Sequence, residues 1–194
     1  MIMVVLAVIC WTADAQNNSQ MSNMGNGQMM NMDMQGTQDS QTKITVTNSA
    51  TLKAVIDDYL AIKNALVKDN SMEAANSGKA LFEALSNVDL STQATSGKDD
   101  LANIIEDAKE HAQHISENAG DIEHQRGHLS SLSADLKNII VIAGADRTLY
   151  ELHCPMYNNM EGADWLSESN KILNPFYGSK MINCGSVQQE IALK

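Results

Sequence analysis

The sequence predicts an all-α protein: an up-down four-helix bundle with an irregular Cys/Met/aromatic C-terminal segment packed on it. Three observations lead there. Aromatic residues are only 4% of the chain against 43% apolar in all, so the core must be built of Leu, Ile, Val and Ala, which suits packed helices better than twisted sheets. Only 2 of the 194 residues are proline. Between residues 49 and 146, apolar side chains recur at helical spacing in four stretches joined by short polar links, the pattern of antiparallel neighbours in a bundle.

Taken in chain order, residues 1–15 are apolar from Ile2 to Trp11 and end in Ala13-Asp-Ala15. That is too short to span a bilayer and reads as a signal peptide cut after Ala15. An uncleaved anchor and lipidation at Cys10 are the alternatives, and Ile9 makes a poor lipobox there. The expectation is a periplasmic or secreted protein with no transmembrane span once processed. Residues 16–48 are mostly Asn, Gln, Ser, Gly, Asp and Met, a composition that predicts a disordered linker. Met21, Met24, Met29, Met30, Met32 and Met34 crowd into it. They read either as low-complexity drift or as flexible thioethers, soft ligands able to capture Cu(I) weakly and raise its local concentration.

The bundle follows at 49–146. Helix one, about 50–68, carries Leu52, Val55, Ile56, Tyr59, Leu60 and Leu66 behind a Ser49 or Thr51 cap; helix two, about 71–88, carries Ala74, Ala75, Leu81, Phe82 and Leu85. After a polar link at 92–97, helix three, about 98–118, presents Leu101, Ile104, Ile105, Ala108, Ala112 and Ile115. Asn118-Ala-Gly120 ends it, and Asp121 caps helix four, about 121–144, with Leu129, Leu132, Leu136, Ile139 and Ile140. Residues 147–194 hold Tyr150, Tyr157, Trp165, Phe176 and Tyr177 together with Cys154, Cys184, Pro155 and Pro175. The stretch is too short and too aperiodic to fold alone, so it is expected to lie against the bundle as part of one domain, with Trp165 as its anchor.

Several function classes drop out. With 24 acidic and 13 basic residues the formal charge is −11, and no Lys/Arg stripe offers a groove for nucleic acid. No phosphate-binding Gly loop, Gly-x-Ser-x-Gly elbow or His-Glu-x-x-His pair occurs, so nucleotide and hydrolase chemistry lack their minimal parts and no enzyme is expected.

What remains is ligand chemistry. Cys154-x-Met156 and Met181-x-x-Cys184 set two thiols and two thioethers at short spacing, with Met160 as a spare. Such donors suit Cu(I) or Ag(I) and suit zinc poorly. A Cys154–Cys184 disulfide closing a loop of about 30 residues, and two unrelated buried thiols, are the competing readings. The histidines form a second set: His111 and His114 near the end of helix three, His124 and His128 near the start of helix four. At about 100° per residue all four are displaced from their apolar stripes in the same rotational sense, and the pairs bracket the turn almost symmetrically. They therefore fall on one face of the hairpin, a donor set for Cu(II), Ni(II) or Zn(II), unless they are simply polar surface.

The combination Tyr150, Cys154-Pro155-Met156, Trp165-Leu166, Asn174-Pro-Phe-Tyr-Gly178, Met181 and Cys184-Gly185, with Asp121-Ile-Glu-His-Gln-Arg126 and Leu129 to Leu132 upstream, resembles a domain family of unknown function. That family occurs as small exported proteins and as a C-terminal extension of the periplasmic adaptor subunits of copper and silver efflux pumps. The resemblance covers roughly residues 50–187 and implies a helical bundle in a metal-handling setting. The expected function is thus binding of Cu(I) or Ag(I) by the Cys/Met segment, buffering the metal or handing it to an efflux adaptor. The alternative is a disulfide-clasped helical module that docks a protein partner through Asn174-Pro-Phe-Tyr-Gly178 and has no metal role.

Overall fold

The computed structural model describes residues 42–89 and 98–194. The predicted signal segment, the Met-rich stretch up to residue 41 and the link at 92–97 lie outside them. The four long helices among the described residues are α1 (Lys53–Val67), α2 (Ser71–Ser86), α3 (Lys98–Glu117) and α4 (Ile122–Ala143). Between α1 and α2 the chain turns on Asp69 at φ 55°, a conformation that Asp tolerates better than most residues. Asn70 then caps α2, its side-chain oxygen accepting the Glu73 N–H at 3.1 Å, and Asp121 caps α4 by accepting the His124 N–H at 3.1 Å. Helices α2 and α3 approach closely because their facing residues are small. A Cβ on Gly78 would stand 2.9 Å from the Ala112 carbonyl oxygen.

The all-α expectation is wrong, because residues outside the helices build a four-stranded mixed sheet in the order β1-β4-β2-β3. The strands are β1 (Thr42–Val46), β2 (Leu149–Cys154), β3 (Ala163–Ser167) and β4 (Ser186–Leu193). β1 runs parallel to β4, with Ile44 opposite Ile191; β2 lies antiparallel to both β4 and β3, with His153 opposite Ser186 and Asp164. The segment expected to be irregular therefore supplies three strands, and the stretch composed like a linker supplies the fourth. A register shift between Glu151 and Leu152 explains why β2 hides Leu149, Leu152 and Cys154 rather than every second residue, since a bulge moves the inward face by one position.

The sheet packs its buried face on the helices. Tyr59 of α1 is fully buried, its hydroxyl 2.7 Å from Ser133 Oγ of α4 and accepting the Leu166 N–H of β3 at 2.9 Å, so one side chain ties two helices to the sheet. Trp165 of β3 is also fully buried and meets Phe176 edge-on at 6.0 Å.

Arg126 joins the halves a second time. Its guanidinium is 2% exposed and donates from Nε to the Pro175 carbonyl at 2.9 Å, and from Nη2 to the Leu66 carbonyl at 3.2 Å and Asp69 Oδ1 at 2.6 Å. Nη1 reaches Glu123 at 3.1 Å. Hydrogen bonds from Ser179 and then Arg126 pull the Asp69 carboxyl down to about 2 from its ordinary 3.8. A lowered folded-state value stabilises the fold above the unfolded value and loses that contribution as pH falls through the folded one. Thermal midpoints measured from pH 5 to pH 2 should therefore fall less steeply in Asp69→Asn than in the parent below about pH 4. Equal slopes would remove Asp69 from this role.

Candidate functional site

The sheet brings together two cysteines that are 30 residues apart. Cys154 closes β2 and Cys184 sits two residues before β4, and because these strands pair, Cys154 Sγ and Cys184 Sγ face each other at 3.5 Å as free thiols. Cys154 is fully buried, whereas Cys184 is half-buried. Burial, then the hydrogen bond and charge of Cys154, push the Cys184 thiol up, so a cation bound here would displace protons.

Asn174 fixes the approach of Cys184. It is fully buried; its amide nitrogen donates to the Cys184 carbonyl at 2.8 Å, while its oxygen accepts the Phe176 and Tyr177 N–H groups at 2.8 and 3.2 Å. The Asn-Pro-Phe-Tyr-Gly stretch is thus an Asx turn that locks the cysteine loop. Its Phe176 ring is buried and stacks on Tyr157 at 4.5 Å. Gly185 must also be small, because a Cβ there would lie 2.6 Å from the His153 carbonyl oxygen and 2.9 Å from Trp165.

The expected thioether ligands are arranged less tightly. Met181 shares a turn with Cys184, whose N–H donates to the Met181 carbonyl at 3.0 Å. Met156 is 40% exposed and Met160, in a left-handed turn at φ 74°, is 74% exposed, so both meet solvent rather than a closed sulfur pocket. His153 pairs across the strands with Asp164, Nδ1 to Oδ1 2.7 Å.

The four remaining histidines lie together on the α3–α4 hairpin. His111 Nδ1 is 3.0 Å from His128 Nδ1, and His128 Nε2 is 3.1 Å from His124 Nε2. The His114 ring stacks on His128 with centroids 4.5 Å apart and planes 4° apart. His111 Nε2 faces Asp135 Oδ2 at 3.8 Å, and His114 Nε2 faces Glu110 Oε1 at the same distance. Burial, then the neighbouring His114, His124 and His111, lower His128 to about 4, so that ring is neutral at neutral pH. Next to it, Gln125 is fully buried and donates to the Ser71 and Ile115 carbonyls at 3.0 Å each. In the run His124-Gln-Arg126 the two later residues therefore brace the helices, while His124 faces solvent.

Residues 55–148 match the family described as a protein of unknown function, DUF3347. The match takes in α1 from Val55 onward, the other three long helices, the histidine patch and Arg126, and it stops one residue before β2, so the cysteine segment lies beyond it. No curated protein and no solved structure matches the chain. Among the described residues, no helix is long and apolar enough to cross a membrane.

Proposed function

We propose that this chain is an exported metal-binding protein that holds Cu(I) or Ag(I) between the Cys154 and Cys184 thiolates and buffers it or passes it to the periplasmic adaptor subunit of an efflux pump. The observation that carries the proposal is the 3.5 Å approach of the two sulfurs, held by strand pairing on one side and by the Asn174 turn on the other. At metal–thiolate bonds of about 2.3 Å, two sulfurs on one ion stand about 3.8–4.6 Å apart, from tetrahedral to linear. A small opening of the pair admits the ion. Thiolates select monovalent copper over hard cations, and the buried position of Cys154 shields the bound ion. Met181, in the same turn as Cys184, is the first thioether donor; Met156 and Met160 are reserve donors on the solvent side.

An anaerobic Cu(I) competition titration tests this on the reduced chain beside a variant with Cys154 and Cys184 changed to Ser. The parent should bind one Cu(I) about 100-fold more tightly than the variant, or more. Equal, weak binding in the two would overturn the proposal and favour the reading in which the cysteines only clasp a helical interaction module. In that case, thiol counting on protein isolated without reductant should find both cysteines oxidised.

A further inference from the structure

We propose that His114, His124 and His128 form a second metal site, for one imidazole-seeking divalent cation, with His111 and Asp135 as its positioning residues. The site shares no residue with the cysteine pair, so it stands or falls separately from the function proposed above.

The spacing comes first. One ring nitrogen from each of His114, His124 and His128 can be chosen so that all three lie within 4.8 Å of one another. Two nitrogens on one tetrahedral ion at bonds of about 2.05 Å stand about 3.3 Å apart, and His124 Nε2 and His128 Nε2 are already 3.1 Å apart. Two ligands are therefore at coordination distance, and side-chain rotation of the third, 42% exposed His114, completes the set. The fourth position is open to water, since the patch reaches solvent.

The proton arrangement supplies a second, independent argument. Asp135 Oδ2 is buried and has no hydrogen-bond partner. A buried acceptor left alone is costly, and the donor facing it is His111 Nε2 at 3.8 Å. With its proton on Nε2, a neutral His111 must accept at Nδ1. The group 3.0 Å from that atom is His128 Nδ1, which then carries the proton of its ring. The lone pair of His128 consequently sits on Nε2, the atom that faces His124 Nε2. Closing the 3.8 Å gap between His111 and Asp135 to a hydrogen bond completes a relay through His128 that orients a ligating nitrogen toward the pair, the arrangement in which an outer carboxylate and a hydrogen-bonded imidazole fix the tautomer of a metal ligand. Imidazole donors take Cu(II), Ni(II) and Zn(II), and the Irving–Williams order makes Cu(II) the tightest of them.

The test uses Cu(II) on the full chain carrying Cys10→Ser, Cys154→Ser and Cys184→Ser, so that no thiol binds or reduces the ion. Chelator competition gives the affinity, and electron paramagnetic resonance shows how many nitrogens bind. One equivalent should bind through several nitrogens. Adding His124→Ala and His128→Ala should weaken binding about 100-fold or more and remove the nitrogen signature. Asp135→Asn should weaken it about 10–100-fold while keeping the same nitrogens, a split that a merely structural role would not produce. The single variant His124→Ala, at an exposed position, should give the same direction with an unchanged helical circular dichroism spectrum. Binding that survives in the double histidine variant, or bound Cu(II) without nitrogen coupling in the parent, would overturn the site. An Asp135→Asn variant with unaltered affinity would overturn the relay.

Discussion

Replacing Arg126 with Met is expected to cost about 3–4 kcal/mol of folding stability, a fall of about 10 °C in the thermal midpoint for a chain of this size. Met fills much of the same volume, so the cost comes from the partners left behind. Two of them, the Pro175 and Leu66 carbonyls, receive buried donors from Arg126 at 2.9 and 3.2 Å, and an orphaned buried acceptor costs about 1–3 kcal/mol. Asp69 and Glu123 are 36% and 64% exposed and regain water, so their share is small. Arg126→Lys should rescue little, because one ammonium cannot serve carbonyls and a carboxylate that lie on different sides of a planar fork. The loss should also reach the cysteines: without its bond to Pro175, the Asn174 turn that holds the Cys184 carbonyl loosens, and thiol labelling of Cys184 should quicken. A change of less than about 1 kcal/mol would mean that Arg126 merely occupies its site.

The contrast between what could and could not be read from the sequence follows contact distance along the chain. The helices are local, and their ends are marked by Asn70 and Asp121 as caps and by Gly144, so they fall within a turn of the expected bounds. The histidine patch is nearly as local, since both pairs belong to one hairpin and rotation per residue is enough to put them on one face. The sheet is the opposite case. β1 pairs with residues 189–193 at the far end of the chain, a register no window can see, and the bulge in β2 breaks the alternation that marks a half-buried strand. The remaining signal was Thr42-Lys-Ile-Thr-Val46, alternating and rich in β-branched residues, which the polar composition around it concealed.

The role of Arg126 is hidden in the sequence for another reason: a charged residue on an amphipathic helix is usually on the surface. Yet it lies on the stripe Arg126, Leu129, Ser133, Leu136 and Ile140, all buried, and that position was the clue. Asn174-Pro-Phe-Tyr-Gly178 is legible as a motif but not in its placement: an Asn before Pro suggests a displayed docking loop, whereas this Asn turns inward and its Phe is core.

Trp165→Ala is expected to cost about 3–5 kcal/mol, the range for removing a large aromatic from a close-packed core, and to lower the thermal midpoint by about 10 °C or more. Trp165 is among the largest fully buried side chains and stands between the helices and the cysteine loop, touching Phe176 on one side and leaving room only for Gly185 on the other. Trp165→Phe should cost clearly less than Trp165→Ala. The indole Nε1 is buried without a hydrogen-bond partner, so its removal recovers part of what the smaller ring gives up in contact. The two variants also separate stability from metal binding. If the indole sets the 3.5 Å approach of Cys154 and Cys184 by limiting the position of Gly185, folded Trp165→Ala at low temperature should bind Cu(I) more weakly than the parent, with Trp165→Phe in between. If it serves the core alone, both variants should lose stability and keep the parent's Cu(I) affinity, which would place control of the cysteine pair in strand pairing and the Asn174 turn.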